Sequence, residues 1–103
     1  MAGHKGSPNS TCEGIFHFNP DDGIYRDHFP GYPVVPGSVI VNAFLEAAAI
    51  AGFPPDNLVA EDFRFREFLV PGRYLFCIEH ATDRLHCLIH RNGKKLVTGV
   101  LRR

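Results

Sequence analysis

Between Val39 and Ala51 only two positions are polar, Asn42 and Glu46. Adding Ser38 places polar residues at i, i+4 and i+8, a narrow stripe along a helix whose other faces are apolar. The pattern predicts one helix over Gly37–Gly52, entered at Pro36-Gly37 and closed by Gly52 ahead of Pro54-Pro55. A helix apolar nearly all round is buried on most sides. Its polar stripe then faces solvent, a substrate channel or a second subunit.

The rest of the chain reads as strands. Gly14–Phe18 precedes the dense turn signal Asn19-Pro20-Asp21-Asp22-Gly23, and Ile24–Asp27 is short and extended. Leu58–Phe65 puts Phe63 and Phe65 on one face and Arg64, with Arg66 beyond it, on the other. Phe68 breaks that parity, which predicts a bend or bulge near Glu67. Arg73–His80 and Arg84–His90 flank Ala81-Thr82-Asp83, and Asn92-Gly93 predicts a hairpin into Lys95–Leu101. One helix followed by a run of antiparallel strands is an α+β pattern, with a curved sheet wrapped around the helix.

At 103 residues the chain has room for one domain, over 12–103, with residues 1–11 read as a disordered lead-in. Net charge is +0, so there is no bulk basic field for nucleic acid. No apolar run reaches the ~20 residues of a membrane span, and the first ten residues lack an apolar signal region. A cytoplasmic protein is expected. Cys12, Cys77 and Cys87 are odd in number and read as structural thiols, with Cys77 and Cys87 able to lie opposite each other on paired strands. His86 and His90 share a strand face, with His80 near in sequence, but the spacing is not that of a metal site, and His17 reads as a strand-surface residue.

The chemistry concentrates between Asp27 and Ser38. His28 sits in a loop stiffened by Pro30, Pro33 and Pro36, which runs into the helix start at Gly37. A titratable imidazole beside a helix N-terminus has free backbone N–H groups and the helix dipole at hand. A base next to an anion-stabilising pocket is what proton abstraction beside a carbonyl requires.

The run His28-Phe-Pro-Gly-Tyr-Pro-Val-Val-Pro-Gly37 resembles the signature of the 3-hydroxyacyl-acyl-carrier-protein dehydratases of bacterial fatty acid synthesis. The run Phe63-Arg-Phe-Arg-Glu-Phe-Leu-Val-Pro-Gly72 is similar to that family's second familiar segment. The resemblance spans roughly Gly14 to Leu101 and implies the hot-dog fold, a central helix wrapped by an antiparallel sheet, dimerised edge to edge. It implies that His28 is the catalytic histidine and that the Gly37 N–H, flanked by Pro36 and Ser38, holds the thioester carbonyl. The family's catalytic carboxylate falls at Asn42, which cannot donate a proton as an acid. One turn later, where the family commonly has Gln, stands Glu46. Carboxylate and amide look exchanged along one stripe, a displacement of about 6 Å. Buried, Glu46 would have a raised pKa suited to a general acid. Asn42 could instead be a buried amide, and Glu46 an exposed or hydrogen-bonded carboxylate.

The resemblance makes acyl carrier protein or coenzyme A the carrier of the substrate, with no cofactor and no metal, in a homodimer or assembly of dimers. Arg64 and Arg66 are candidates for docking an acidic carrier, though such a pair is also an ordinary solvated strand face. Three activities compete. The first is dehydration of a 3-hydroxyacyl thioester to the trans-2-enoyl form, with Glu46 or a water held by Asn42 as proton donor. The second is an acyl-thioesterase. The third is an acyl-binding or partner subunit that has lost its carboxylate.

Overall fold

The computed structural model describes residues 11–22 and 34–103. The expected lead-in, apart from Thr11, lies outside these residues, as do Ile24–Asp27, His28 and its loop through Pro33. Five strands and one α-helix follow in the order β1 (Thr11–Phe18), α1 (Gly37–Ile50), a 3-10 turn (Pro55–Asn57), β2 (Val59–Phe65), β3 (Gly72–Ala81), β4 (Arg84–Arg91) and β5 (Lys94–Arg102). They form one antiparallel sheet in the order β1-β3-β4-β5-β2. β1 and β2 occupy opposite edges, so the chain crosses the sheet between them, and α1 lies in that crossing. This is the hot-dog arrangement.

Local chemistry explains the element ends. Pro36 enters α1 with an extended backbone, and its carbonyl accepts from the Val39 and Ile40 N–H groups at 3.0 and 3.2 Å. At the other end Gly52 has φ +104, open to glycine without strain. The Phe53 N–H then reaches back to the Ala48 carbonyl at 2.9 Å and the Gly52 N–H to Ala49 at 3.0 Å, which closes the helix in a Schellman turn. Asn92 and Gly93 both have positive φ, 53° and 77°, as a type I′ hairpin between Arg91 and Lys94 requires.

The bend expected near Glu67 is there, at Arg66 and Glu67 directly after β2. A bulge lies earlier as well: the β2–β5 register shifts between Glu61 and Arg64, where Asp62 takes φ 53. The Arg66 N–H donates to the Leu96 carbonyl at 2.9 Å, so parity survives to that point, and Phe68 breaks it by lying beyond the strand in an exposed loop. One expectation changes: Cys77 and Cys87 are not opposite each other. Cys77 pairs with Leu88 and Cys87 with Ile78, so the one-residue offset sends the thiols to opposite faces. Cys87 is buried in the core, whereas Cys12 and Cys77 are half-buried, and all three are free.

The core lies between α1 and the inner sheet face. Ile40, Phe44 and Ala48 form the fully buried stripe of the helix. The Phe44 ring meets Phe16 edge-on at 5.0 Å, and Phe16 stacks on Phe76 at 4.0 Å. Val39, Val41, Ala43, Leu45 and Ala47 are only half-buried, and Ile50 is 90% exposed. The helix is therefore less enclosed within one chain than its composition suggests. The sheet covers one side and leaves the flanks of the polar stripe open.

Candidate active site

The polar stripe of α1 borders a groove of about 620 Å³ between the helix and β1. Asn42 and Glu46 line it from the helix, one turn apart, with Val39, Ala43 and Ala47 between and beside them. His17, Asn19 and Asp22 line it from the end of β1 and the following turn. Its apolar wall includes Ile15, Phe16, Phe18 and Phe76. The groove therefore combines an apolar wall with polar groups converging from two elements.

Asn19 shapes the polar end. Its side-chain carbonyl accepts from the Asp21 N–H at 2.9 Å and its backbone carbonyl from the Asp22 N–H at 3.0 Å. This Asx turn carries Asp22 back to the groove. His17, expected as a plain strand-surface residue, also belongs to the groove wall. β1 is an edge strand, so its outward side chains as well as its inward ones can border the space beside the helix. Strand alternation alone did not signal this, although the turn directly after Phe18 was visible in the sequence.

Glu46 and Asn42 are both exposed in the single chain, as is Ser38. Burial of Glu46 is thus not supplied within one chain. Gly37 opens the helix against Phe65, and a Cβ added there would lie 3.1 Å from the ring. The first N–H groups of a helix have no partner inside it, so Gly37 and Ser38 present the donors an oxyanion would use. The approach to this point is held from outside the helix: the Val35 N–H donates to the Leu69 carbonyl at 2.8 Å.

Arg64 and Arg66 are not brought together with the groove. They border a second hollow, of about 500 Å³, on the outer face of the sheet. His86 lies on that face too, while His80 packs edge-on against Phe53 at 4.8 Å on the inner side. Among the described residues no group of three or more His, Cys, Asp or Glu could hold a metal ion, and no helix is long and apolar enough to cross a membrane.

A central helix against a five-stranded antiparallel sheet, with an apolar groove along its polar stripe, defines a hot-dog protein. The chain matches the ApeI-like family, described as ApeI dehydratase, over residues 4–99, and it belongs to that family. It is 33% identical over 109 residues to the 3-hydroxyacyl-(acyl-carrier-protein) dehydratase FabZ of Bordetella parapertussis, a match covering 91% of this chain and 72% of the relative. The FabZ proteins of Acidiphilium cryptum and Geotalea uraniireducens are 28% and 27% identical, covering 82% and 91% of this chain and 53% and 72% of their own lengths.

Proposed function

We propose that this protein removes water from a 3-hydroxyacyl thioester carried on acyl carrier protein, giving the trans-2-enoyl thioester for fatty acid biosynthesis. The observation that carries this reading is the dehydratase family match over nearly the whole chain, in a fold whose groove pairs an apolar floor with a helix-borne carboxylate. His28 takes the proton from the carbon beside the thioester carbonyl. The Gly37 N–H and the helix dipole hold the carbonyl oxygen as it gains negative charge. The electron pair forms the new double bond as the 3-hydroxyl departs, and Glu46 protonates it so that it leaves as water. Water held by Asn42 is the alternative donor.

The assembly we propose is a homodimer. The half-buried helix flanks and the exposed Ile50 leave apolar surface that a second copy would cover, and covering it would also desolvate Glu46. A cytoplasmic setting fits the three free thiols. Arg64 and Arg66, together on the outer face, are the residues we assign to holding an acidic carrier.

The second reading, a binding or partner subunit without turnover, is favoured by one residue: Asn42 stands where the resemblance puts the catalytic carboxylate. Incubating the purified chain with a 3-hydroxyacyl thioester of acyl carrier protein separates the readings. Dehydration gives the conjugated enoyl product, thioester hydrolysis gives free acid and free carrier thiol, and a binding subunit leaves the substrate unchanged.

A further inference from the structure

The run Phe63–Gly72 has no part in the proton transfers above, yet it holds the start of α1 at two points. The Leu69 carbonyl accepts from the Val35 N–H at 2.8 Å. The Phe65 ring turns its tip toward Gly37: a Cβ on the glycine would lie 3.1 Å from Cζ, 3.3 Å from Cε2 and 3.7 Å from Cε1. A larger residue at that position would have to push the ring away. Phe63, two residues earlier, likewise stands over a glycine, Gly99. The two rings lie 6.4 Å apart but differ in burial. Phe63 is half-buried and packs toward Phe44, 6.0 Å away, so it fills core. Phe65 is 43% exposed, a large apolar ring standing beside the first turn of α1 with little core to fill.

We propose that Phe65 is a positioning residue for the dehydration and acts through Gly37. This rests on the reading that the Gly37 N–H holds the thioester oxygen. A helix leaves the N–H groups of its first turn without internal partners. A ring packed on one side of that turn keeps water from that side, and a donor shielded from water stabilises a developing oxyanion more strongly. The missing side chain at Gly37 serves both neighbours. It lets the ring close on one side and lets a carbonyl oxygen approach the bare backbone on the other. The ring is anchored by β2 and the Val35 N–H is tied to Leu69, so the sheet and its following loop together set where the donor stands. Arg64 and Arg66, on either side of Phe65 in sequence, border the hollow on the outer face. The role of the ring is therefore separable from carrier binding.

The test measures kcat and KM for one 3-hydroxyacyl thioester of acyl carrier protein in the wild type, Phe65→Leu, Gly37→Ala and the double variant. Phe65→Leu should lower kcat about tenfold, less than the roughly 10²–10³-fold that losing an oxyanion donor costs. Its KM should stay within about twofold, because the support is used in the transition state. Gly37→Ala should also lower kcat, since its methyl meets the ring, and the double variant should recover part of that loss because leucine yields the space. Phe65→Tyr adds a hydroxyl at the ring carbon nearest the glycine and should lower kcat below that of Phe65→Leu. Denaturant unfolding of each chain corrects kcat for the folded fraction. Purely additive losses, or an unchanged kcat in Phe65→Leu, overturn the proposal. A loss in Phe65→Leu that disappears at high protein concentration, together with a smaller sedimenting mass, overturns it too, because the ring is then a subunit contact. A wild type without turnover removes the dehydration reading and this role together. An active wild type with an unaffected Phe65→Leu removes this role alone.

Discussion

Phe63 fills the space that a side chain at Gly99 would need: a Cβ built on the glycine would collide with the edge of the ring. Asp62 and Phe63 lie in the β2 bulge that faces Gly99, and the bulge turns the phenyl inward toward Phe44, 6.0 Å away. The bulge and the glycine are one device, an aromatic ring covering a bare backbone position. Gly99→Ala should therefore cost about 1–3 kcal/mol by overpacking. Denaturant unfolding measures it. Phe63→Leu in the same chain should return part of the loss, whereas if Gly99→Ala is neutral the ring is free to move and the coupling is absent.

The loop that carries Leu69 is fastened by Tyr74. Its hydroxyl donates to the Val70 carbonyl at 2.6 Å, and the Arg91 guanidinium covers its ring at 4.2 Å while donating to the Arg73 carbonyl at 3.0 Å. Glu67 is tied in turn to Lys94. Because Leu69 accepts the Val35 N–H, this fastening reaches the entrance of α1 and its Gly37 donor. Tyr74→Phe should cost about 0.5–1.5 kcal/mol. It should also speed hydrogen exchange at the Val35 amide more than at core amides of β4. Uniform acceleration across the chain would mean a global loss of stability and no special link to the helix entrance.

Much of this architecture could be read locally. Gly52 closes α1 and Asn92-Gly93 turns β4 into β5, because each depends on a backbone conformation those residues supply themselves. The bulge at Asp62 was not legible, since its cause is the missing side chain at Gly99 on another strand. His17 in the groove was missed for a similar reason. Whether an outward residue on an edge strand borders a helix depends on where the helix lies. Ser38, Asn42 and Glu46 were legible as a stripe. How deeply that stripe is buried was not, because one sheet covers only the opposite side.

Alkaline pH should expose the core through Cys87. Burial, with a smaller contribution from nearby Cys77, pushes its thiol up to about 12 from the ordinary 9.0. The folded state thus keeps Cys87 protonated where the unfolded chain would ionise it. This favours the folded state below pH 9 in no pH-dependent way, and the advantage of unfolding grows as pH rises from 9 toward 12. Cys77 adds to the same trend, its thiol raised by burial and by Glu13 and Glu79. Stability measured by denaturant should fall across that window, and less steeply in Cys87→Ala. At pH 8 the native protein should consume iodoacetamide at Cys12 and Cys77 well before Cys87. Equal rates at all three thiols would mean that the core opens readily.

The proposed chemistry makes its sharpest demand on the helix stripe. Dehydration needs a base for the carbon proton and an acid for the departing hydroxyl. We propose His28 for the first, and on that proposal His28→Ala should abolish turnover while leaving thermal unfolding nearly unchanged. Glu46 is the only carboxylate on the stripe, so Glu46→Gln should lower the rate by about 10²–10⁴-fold, the usual effect of removing a general acid. Asn42→Ala should cost much less, because an amide only positions water or the hydroxyl. Rates for the three variants with one 3-hydroxyacyl thioester decide the assignment. Full activity of Glu46→Gln would move the acid to another groove group or to water. A silent wild type that gains turnover on Asn42→Glu would make the chain a binding subunit. The gain would then show that the groove keeps its shape and has lost only its proton donor.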